Sequence, residues 1–156
     1  MDRTVVLVKP DGVQRGLIGE IITRFEHKGL ALAGLKLFSL NDEILDEWYA
    51  HHKDKDFFKD LKRYMMSYPV VAMLWEGIDA ATTVRMMIGV TKAREAAPGT
   101  IRGDFGMSQQ YNLIHASESA EAAAKEISLI FDEDEIFDWE KADFHHIYAT
   151  DERKKN

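Results

Sequence analysis

The chain has 156 residues, 46% hydrophobic and 30% charged, the balance of an ordinary globular protein long enough to bury roughly 68–70% of its unfolded surface. It contains no cysteine, which excludes disulfides, thiolate catalysis and zinc–thiolate sites together. A formal charge of −7 argues against a broad nucleic-acid-binding face, because duplex binding rests on neutralising phosphates, yet it leaves room for a local cationic pocket.

Thr4, Val5, Val6, Leu7 and Val8 read as a buried strand ending at Lys9-Pro10. No basic segment or long apolar stretch precedes it, so neither a signal peptide nor a membrane span is expected, and the expected location is the cytoplasm. Asp11-Gly12 reads as a turn. Leu17, Ile18, Ile21, Ile22 and Phe25 then fall on one face of a helix that Gly29 stops. A second strand is expected over residues 30–40, with a bulge near Gly34 where the alternation breaks. Ile44, Leu45, Trp48 and Tyr49 stripe one short helix, and Phe57, Phe58, Leu61, Tyr64 and Met65 stripe another, a helical hairpin ended by Pro69. Residues 70–75 read as a third buried strand. Residues 80–88 read as a helix with Ala81, Val84 and Ile88 inward and Arg85 at the stripe's edge.

Residues 89–110 show little periodicity and read as a long loop, a feature usually functional or disordered. Residues 111–114 are expected as a short fourth strand, and Ser119 as the N-cap of a helix through Ala123, Ile127, Ile130 and Phe131. The acidic run 132–135 reads as a solvated helix terminus. Residues 151–156 form a charged tail expected to fray, behind a single domain over residues 1–150. Setting aside the hairpin, the loop and the last helix leaves βαββαβ, an α+β sandwich of the ferredoxin-like kind.

The stretch from Asn112 to Ser119 carries most of the chemistry. Two apolar residues lead into His115, a polar turn follows, and the next helix carries Glu126. Histidine's reference pKa of about 6.5 leaves an unperturbed ring mostly neutral at pH 7, with one nitrogen free to act as a nucleophile. The same context also suits a core histidine satisfied by the backbone. Lys9 ends the first strand, Asn112 begins the last, Arg85 lies on a helix edge, and Thr91 and Arg102 lie in the long loop. Those are the donors polyphosphate recognition needs, since guanidinium forks grip oxyanions and lysine supplies a point charge. Taken singly, each arginine also reads as solvated surface. Asp54 and Asp56 sit at helical spacing from His51 and His52, so a His–Asp pair is conceivable there. Lys53 and Lys55 interrupt that cluster, however, and adjacent histidines point to different sides of a helix. His145 and His146 have no carboxylate three or four residues on, and no metal cage is read. Gly12, Gly16 and Gly19 lack the spacing of a glycine-rich phosphate loop, so a nucleotide would have to be held by side chains.

The run Val8-Lys9-Pro10-Asp11-Gly12-Val13-Gln14-Arg15-Gly16-Leu17-Ile18-Gly19-Glu20-Ile21 resembles the opening of the nucleoside diphosphate kinase family. Pro69 through Gly77 is similar to its third strand, Pro98 through Phe105 to its phosphate-side loop, and Asn112 through Ser119 to its active-site signature. The likeness extends over about residues 3–148. It implies an enzyme that moves the γ-phosphoryl group from a nucleoside triphosphate, mainly ATP, to a nucleoside diphosphate, by ping-pong through a phosphohistidine at His115. It further implies Glu126 as the group that orients the ring, Ser117 as its hydrogen-bonding partner, and Tyr49 near the nucleophile. Lys9 and Asn112 would contact the ribose, Arg85, Thr91 and Arg102 the phosphates, and Phe57 would stack on the base. Mg²⁺ is implied as the cofactor, held mainly by the nucleotide's phosphates and not by a protein metal cage. A homo-oligomer is implied, a hexamer in preference to a tetramer. The chain departs from the family's usual pattern at Ala116, Glu118, Gln109 and Ala93. The alternative reading is a catalytically silent nucleotide-binding scaffold of the same fold.

Overall fold

In the computed structural model, which describes residues 1–153, the strands are β1 (Asp2–Val8), β2 (Ala31–Phe38), β3 (Val70–Gly77) and β4 (Ile114–Ala116). The helices are α1 (Pro10–Gln14), α2 (Ile18–Lys28), α3 (Asp42–Trp48), α4 (Phe58–Met65), α5 (Ala80–Ile88), α6 (Ile101–Phe105), α7 (Ala120–Ile130), α8 (Phe144–Ile147) and α9 (Thr150–Arg153). The strands form a 4-stranded sheet of order β2-β3-β1-β4 with every neighbouring pair antiparallel. This is the ferredoxin-like arrangement expected from the element order.

β1 is enclosed from Thr4 to Val8, and its unbroken apolar run is what a strand covered on both faces requires. Val6 and Val8 join Val71, Met73 and Trp75 beneath α2 and α5, which contribute Ile21, Phe25, Ala80, Val84 and Ile88. Val5 and Leu7 face the other way. Val5 meets Ile130 and Phe131 at the end of α7, and Leu7 meets Leu45, Tyr64 and Met65 of the α3–α4 hairpin. Gly29 caps α2 in a left-handed conformation (φ 103°) that costs glycine little. The expected bulge in β2 lies where the register jumps between Leu32 and Gly34. Ser119 caps α7 as expected, accepting from Ala122 N at 3.2 Å.

Several local readings change. Asp11-Gly12 is not a free turn: Pro10 takes the first helical position, where its missing N–H costs nothing, and the segment continues as α1. The fourth strand begins at Ile114 and not at residue 111, because Leu113 takes φ 74° and breaks the extended run. His115 therefore lies inside the strand, opposite Leu7, and Asn112 lies before it. The aperiodic loop holds a 3-10 turn at Ala93–Glu95 and α6, whose N-cap Thr100 accepts from Gly103 N at 3.0 Å. The acidic run forms a separate 3-10 turn, Glu133–Glu135, closed by a capping box from Asp132. Of the tail, residues 151–153 belong to α9 and residues 154–156 lie outside the described residues. Among the described residues, no helix is long and apolar enough to cross a membrane.

Candidate active site

Residues opposite one another in an antiparallel pair share a face of the sheet, so His115 shares the face of Leu7 and Val5, the side covered by α3 and α7. Ser117, two residues on, points the same way. Glu126 on α7 meets both. Its Oε1 lies 3.1 Å from His115 Nε2, and its Oε2 accepts from Ser117 Oγ at 2.5 Å. Ser117 is fully buried, and its Oγ also accepts from Val5 N at 3.1 Å, which ties the cluster to the central strand.

Trp48 makes a third contact. Its indole Nε1 donates to Glu126 Oε1 at 2.9 Å, and its ring stands edge-on to the imidazole with centroids 4.9 Å apart at 89°. Burial pushes the Glu126 carboxyl up, but the hydrogen bond and charge of His115, with the bonds from Ser117 and Trp48, outweigh it and hold the group below the usual carboxylate range. An ionised Glu126 accepts, which puts the imidazole proton on Nε2 and leaves the Nδ1 lone pair available.

In front of His115 lies a cleft of about 620 Å³, within the size range of small-molecule sites. Lys9, Tyr49, Phe57, Arg85, Thr91, Arg102, Asn112 and His115 all line it. Some of these residues lie more than a hundred positions apart in the sequence, and the fold gathers them. Ser117 and Glu126 stand behind the histidine and outside the cleft's lining.

The cationic residues are held in different ways. Lys9 caps α1, and its Nζ donates to Asn112 Oδ1 at 2.7 Å. Burial and the charge of Arg102 push its ammonium down to about 8. Asn112 is itself fixed, its Nδ2 donating to the carbonyls of Thr91 and Gln109, each at 2.9 Å. Arg102 donates from three nitrogens to the carbonyls of Asn112 (3.3 Å), Gly89 (2.9 Å) and Ile114 (2.6 Å). Burial, then the charge of Arg85, brings its guanidinium down to about 10, so it stays charged at neutral pH. Arg85 is exposed, and its hydrogen bond to the Ala116 carbonyl is long, 3.5 Å.

At the outer end, Phe57 is 51% exposed beside His52, with the Lys55 ammonium 5.6 Å from its ring centre. Tyr49 stacks between Trp48 and His52. Burial first, and the charge of Glu126 second, push its phenol up to about 12, so it is a neutral donor at pH 7. His52, considered in the sequence only as one of a metal-ligand pair, lines the cleft. Ala116 has no left-handed backbone, and Glu118 is exposed at the cleft beside it.

Two supporting residues carried no signal of their role in the sequence. Trp48 belonged to an apolar stripe, and Asp11 to a turn. Asp11 Oδ2 accepts from Leu113 N at 3.0 Å while Oδ1 accepts from the Tyr64 hydroxyl. It thereby fixes the left-handed turn just before His115.

The model of the family described as nucleoside diphosphate kinase matches residues 2–136. A nucleoside diphosphate kinase of Parabacteroides distasonis is 55% identical over 152 residues, spanning 97% of this chain and 99% of that protein. One from Archaeoglobus fulgidus is 53% identical over 148 residues, 95% of this chain and 98% of its own. Among solved structures, the Halobacterium salinarum nucleoside diphosphate kinase in complex with CDP superposes with a TM-score of 0.92 at 51% identity, over 95% of this chain and 99% of that one.

Proposed function

Because the chain belongs to the nucleoside diphosphate kinase family and is therefore a phosphotransferase acting on nucleotides, we propose that His115 Nδ1 carries the phosphate between donor and acceptor. The observation behind this is the contact of His115 Nε2 with Glu126 at 3.1 Å, at the edge of a cleft lined by Lys9, Arg85 and Arg102. One ring nitrogen is occupied, and the other is left for the nucleotide.

In the first half-reaction the Nδ1 lone pair attacks the γ-phosphorus. A P–N bond forms, the bridging P–O bond breaks, and the nucleoside diphosphate leaves with the bonding pair. The ring gains positive charge as the bond forms, and the Glu126 carboxylate stabilises it through the Nε2 proton. In the second half a terminal oxygen of another nucleoside diphosphate attacks the same phosphorus and the P–N bond breaks. Phosphoryl transfer of this kind depends on positioning and charge more than on further covalent chemistry. Lys9 and Asn112 contact the ribose, Arg85, Thr91 and Arg102 the phosphates, and Phe57 the base. Tyr49 is a neutral donor beside the nucleophile.

The divalent cation fits as Mg²⁺. Three cations, Lys9, Arg85 and Arg102, and two carboxylates, Asp60 and Glu118, line the cleft. No cluster of three metal-ligating side chains occurs among the described residues, a donor set suited to an ion that takes most of its ligands from phosphate and water. When bound it neutralises phosphate charge. CDP in the Halobacterium relative supports nucleoside diphosphates as the acceptors here. We further propose that residues 1–150 act as one domain, located in the cytoplasm, and that copies associate as a hexamer in preference to a tetramer.

The test is incubation with γ-labelled Mg–ATP and no acceptor. Acid-labile, base-stable label is expected on His115, discharged by any added nucleoside diphosphate, and absent from His115→Ala. Wild-type protein that stays unlabelled under saturating Mg–ATP would overturn the reading in favour of a silent nucleotide-binding scaffold.

A further inference from the structure

We infer that Trp48 is a positioning residue for the phosphate carrier: its indole N–H fixes the Glu126 carboxylate in the orientation that holds the His115 ring for attack. The inference rests on His115 as that carrier.

A carboxyl group on a flexible side chain turns easily about its last torsion, which has broad minima. His115 and Ser117 reach it from one element only, the end of β4, which is anchored to β1. Trp48 supplies a donor from a third element, α3. The three donors then reach the carboxylate from His115 (3.1 Å) and Trp48 (2.9 Å) on Oε1 and from Ser117 (2.5 Å) on Oε2. An indole has a single N–H, and here it is given to the residue that holds the nucleophile. The ring does a second job. Standing edge-on at 4.9 Å and 89° to the imidazole, it blocks rotation of His115 toward α3. Trp48 is not among the residues lining the nucleotide cleft, so its effect should be on the chemical step and not on nucleotide affinity.

The test compares wild type with Trp48→Phe and Trp48→His in single-turnover labelling from γ-labelled Mg–ATP, quenched in base. Phenylalanine keeps an aromatic ring and removes the N–H. It should slow phosphorylation about tenfold, the range expected for one lost hydrogen bond to a charged group, with the ATP concentration at half-maximal rate unchanged. The acid limb of the labelling rate should also move to higher pH, because a carboxylate that loses a donor is more easily protonated. The other titratable groups around Glu126 are Glu47, Tyr49 and His52 from α3 and the turn after it, His115 and Glu118 from β4 and its turn, and Lys125 on α7. All persist in the variant, so the shift reports the indole.

Histidine restores a donor, since its Nε2 overlays the indole nitrogen. At pH 8, where a new imidazole is neutral, Trp48→His should recover most of the lost rate. Labelling of Trp48→Phe at the wild-type rate with an unmoved acid limb would overturn the inference. So would equal slowing in both variants, which would reduce Trp48 to ring bulk. Wild-type protein that fails to label on His115 is a different result, one that removes the carrier itself.

Discussion

Lys9 keeps its ammonium where solvent reaches only 8% of the residue, beside the guanidinium of Arg102 and with Asp11 as a partial counter-charge. Burial disfavours the charged form, and its value falls from 10.5 to about 8. At pH 8.5 the free protein therefore carries Lys9 largely neutral, while Arg102, at about 10, remains charged. A polyphosphate in the cleft favours the ammonium and raises its pKa again, so binding must take up protons, up to about one per site. Calorimetric titration with a nucleotide at pH 8.5, in two buffers of different ionisation heat, should show that uptake, and Lys9→Met should not. Equal heats in both buffers would mean that the bound phosphates do not raise the Lys9 pKa. Residues of this kind were identifiable in advance, because a charged or amide group at the end of an apolar strand has little reason to be there unless it is used. Trp48 and Asp11 were not. Their partners, Glu126 and Leu113, lie 78 and 102 positions away, and nothing in an apolar stripe or a turn dipeptide points to so distant an acceptor or donor.

The segment before His115 shows how a short element can be set by another far along the chain. α1 lies against the Leu113 turn so closely that a Cβ on Gly12 would come 2.8 Å from the Leu113 carbonyl oxygen and 2.7 Å from Val8 Cγ1. The same carbonyl accepts from Lys9 N at 2.8 Å. Leu113, fully buried at φ 74°, holds a backbone conformation that a leucine avoids unless its surroundings impose it. Gly12→Ala should therefore destabilise the protein by about 1–3 kcal/mol, the usual cost of overpacking. It should also slow His115 labelling, since the turn must move. Urea midpoints and single-turnover rates check both, and an unchanged labelling rate would separate α1 from the site. β1, α2, β2, β3 and α5 followed from apolar runs and hydrophobic periods alone. β4 did not, because its start is decided by the Asp11 carboxylate and the Lys9 amide, two contacts that no local pattern of apolar residues records.

The sheet order puts β4, which carries the site, and β2 at opposite edges. β4, at one edge, is three residues long and carries His115. β2, at the other, is eight residues long, and an uncovered strand edge invites pairing. Part of β2 is already covered: Phe137 N donates to the Ala33 carbonyl at 2.8 Å and the Trp139 indole to the Leu32 carbonyl at 2.9 Å. Leu35 and Leu37 beyond them share the sheet face of Met73 and Val71 but remain 50% and 63% exposed. Apolar residues grouped on a free edge mark a contact surface. The proposed oligomer should therefore use β2, and Leu35→Glu with Leu37→Glu should lower the mass in solution, measured by light scattering at several protein concentrations. Because the cleft is built around β4 and not β2, each smaller unit should still label on His115. An unchanged mass would move the contact elsewhere on the surface, whereas loss of labelling together with the mass would show that the site needs its neighbours.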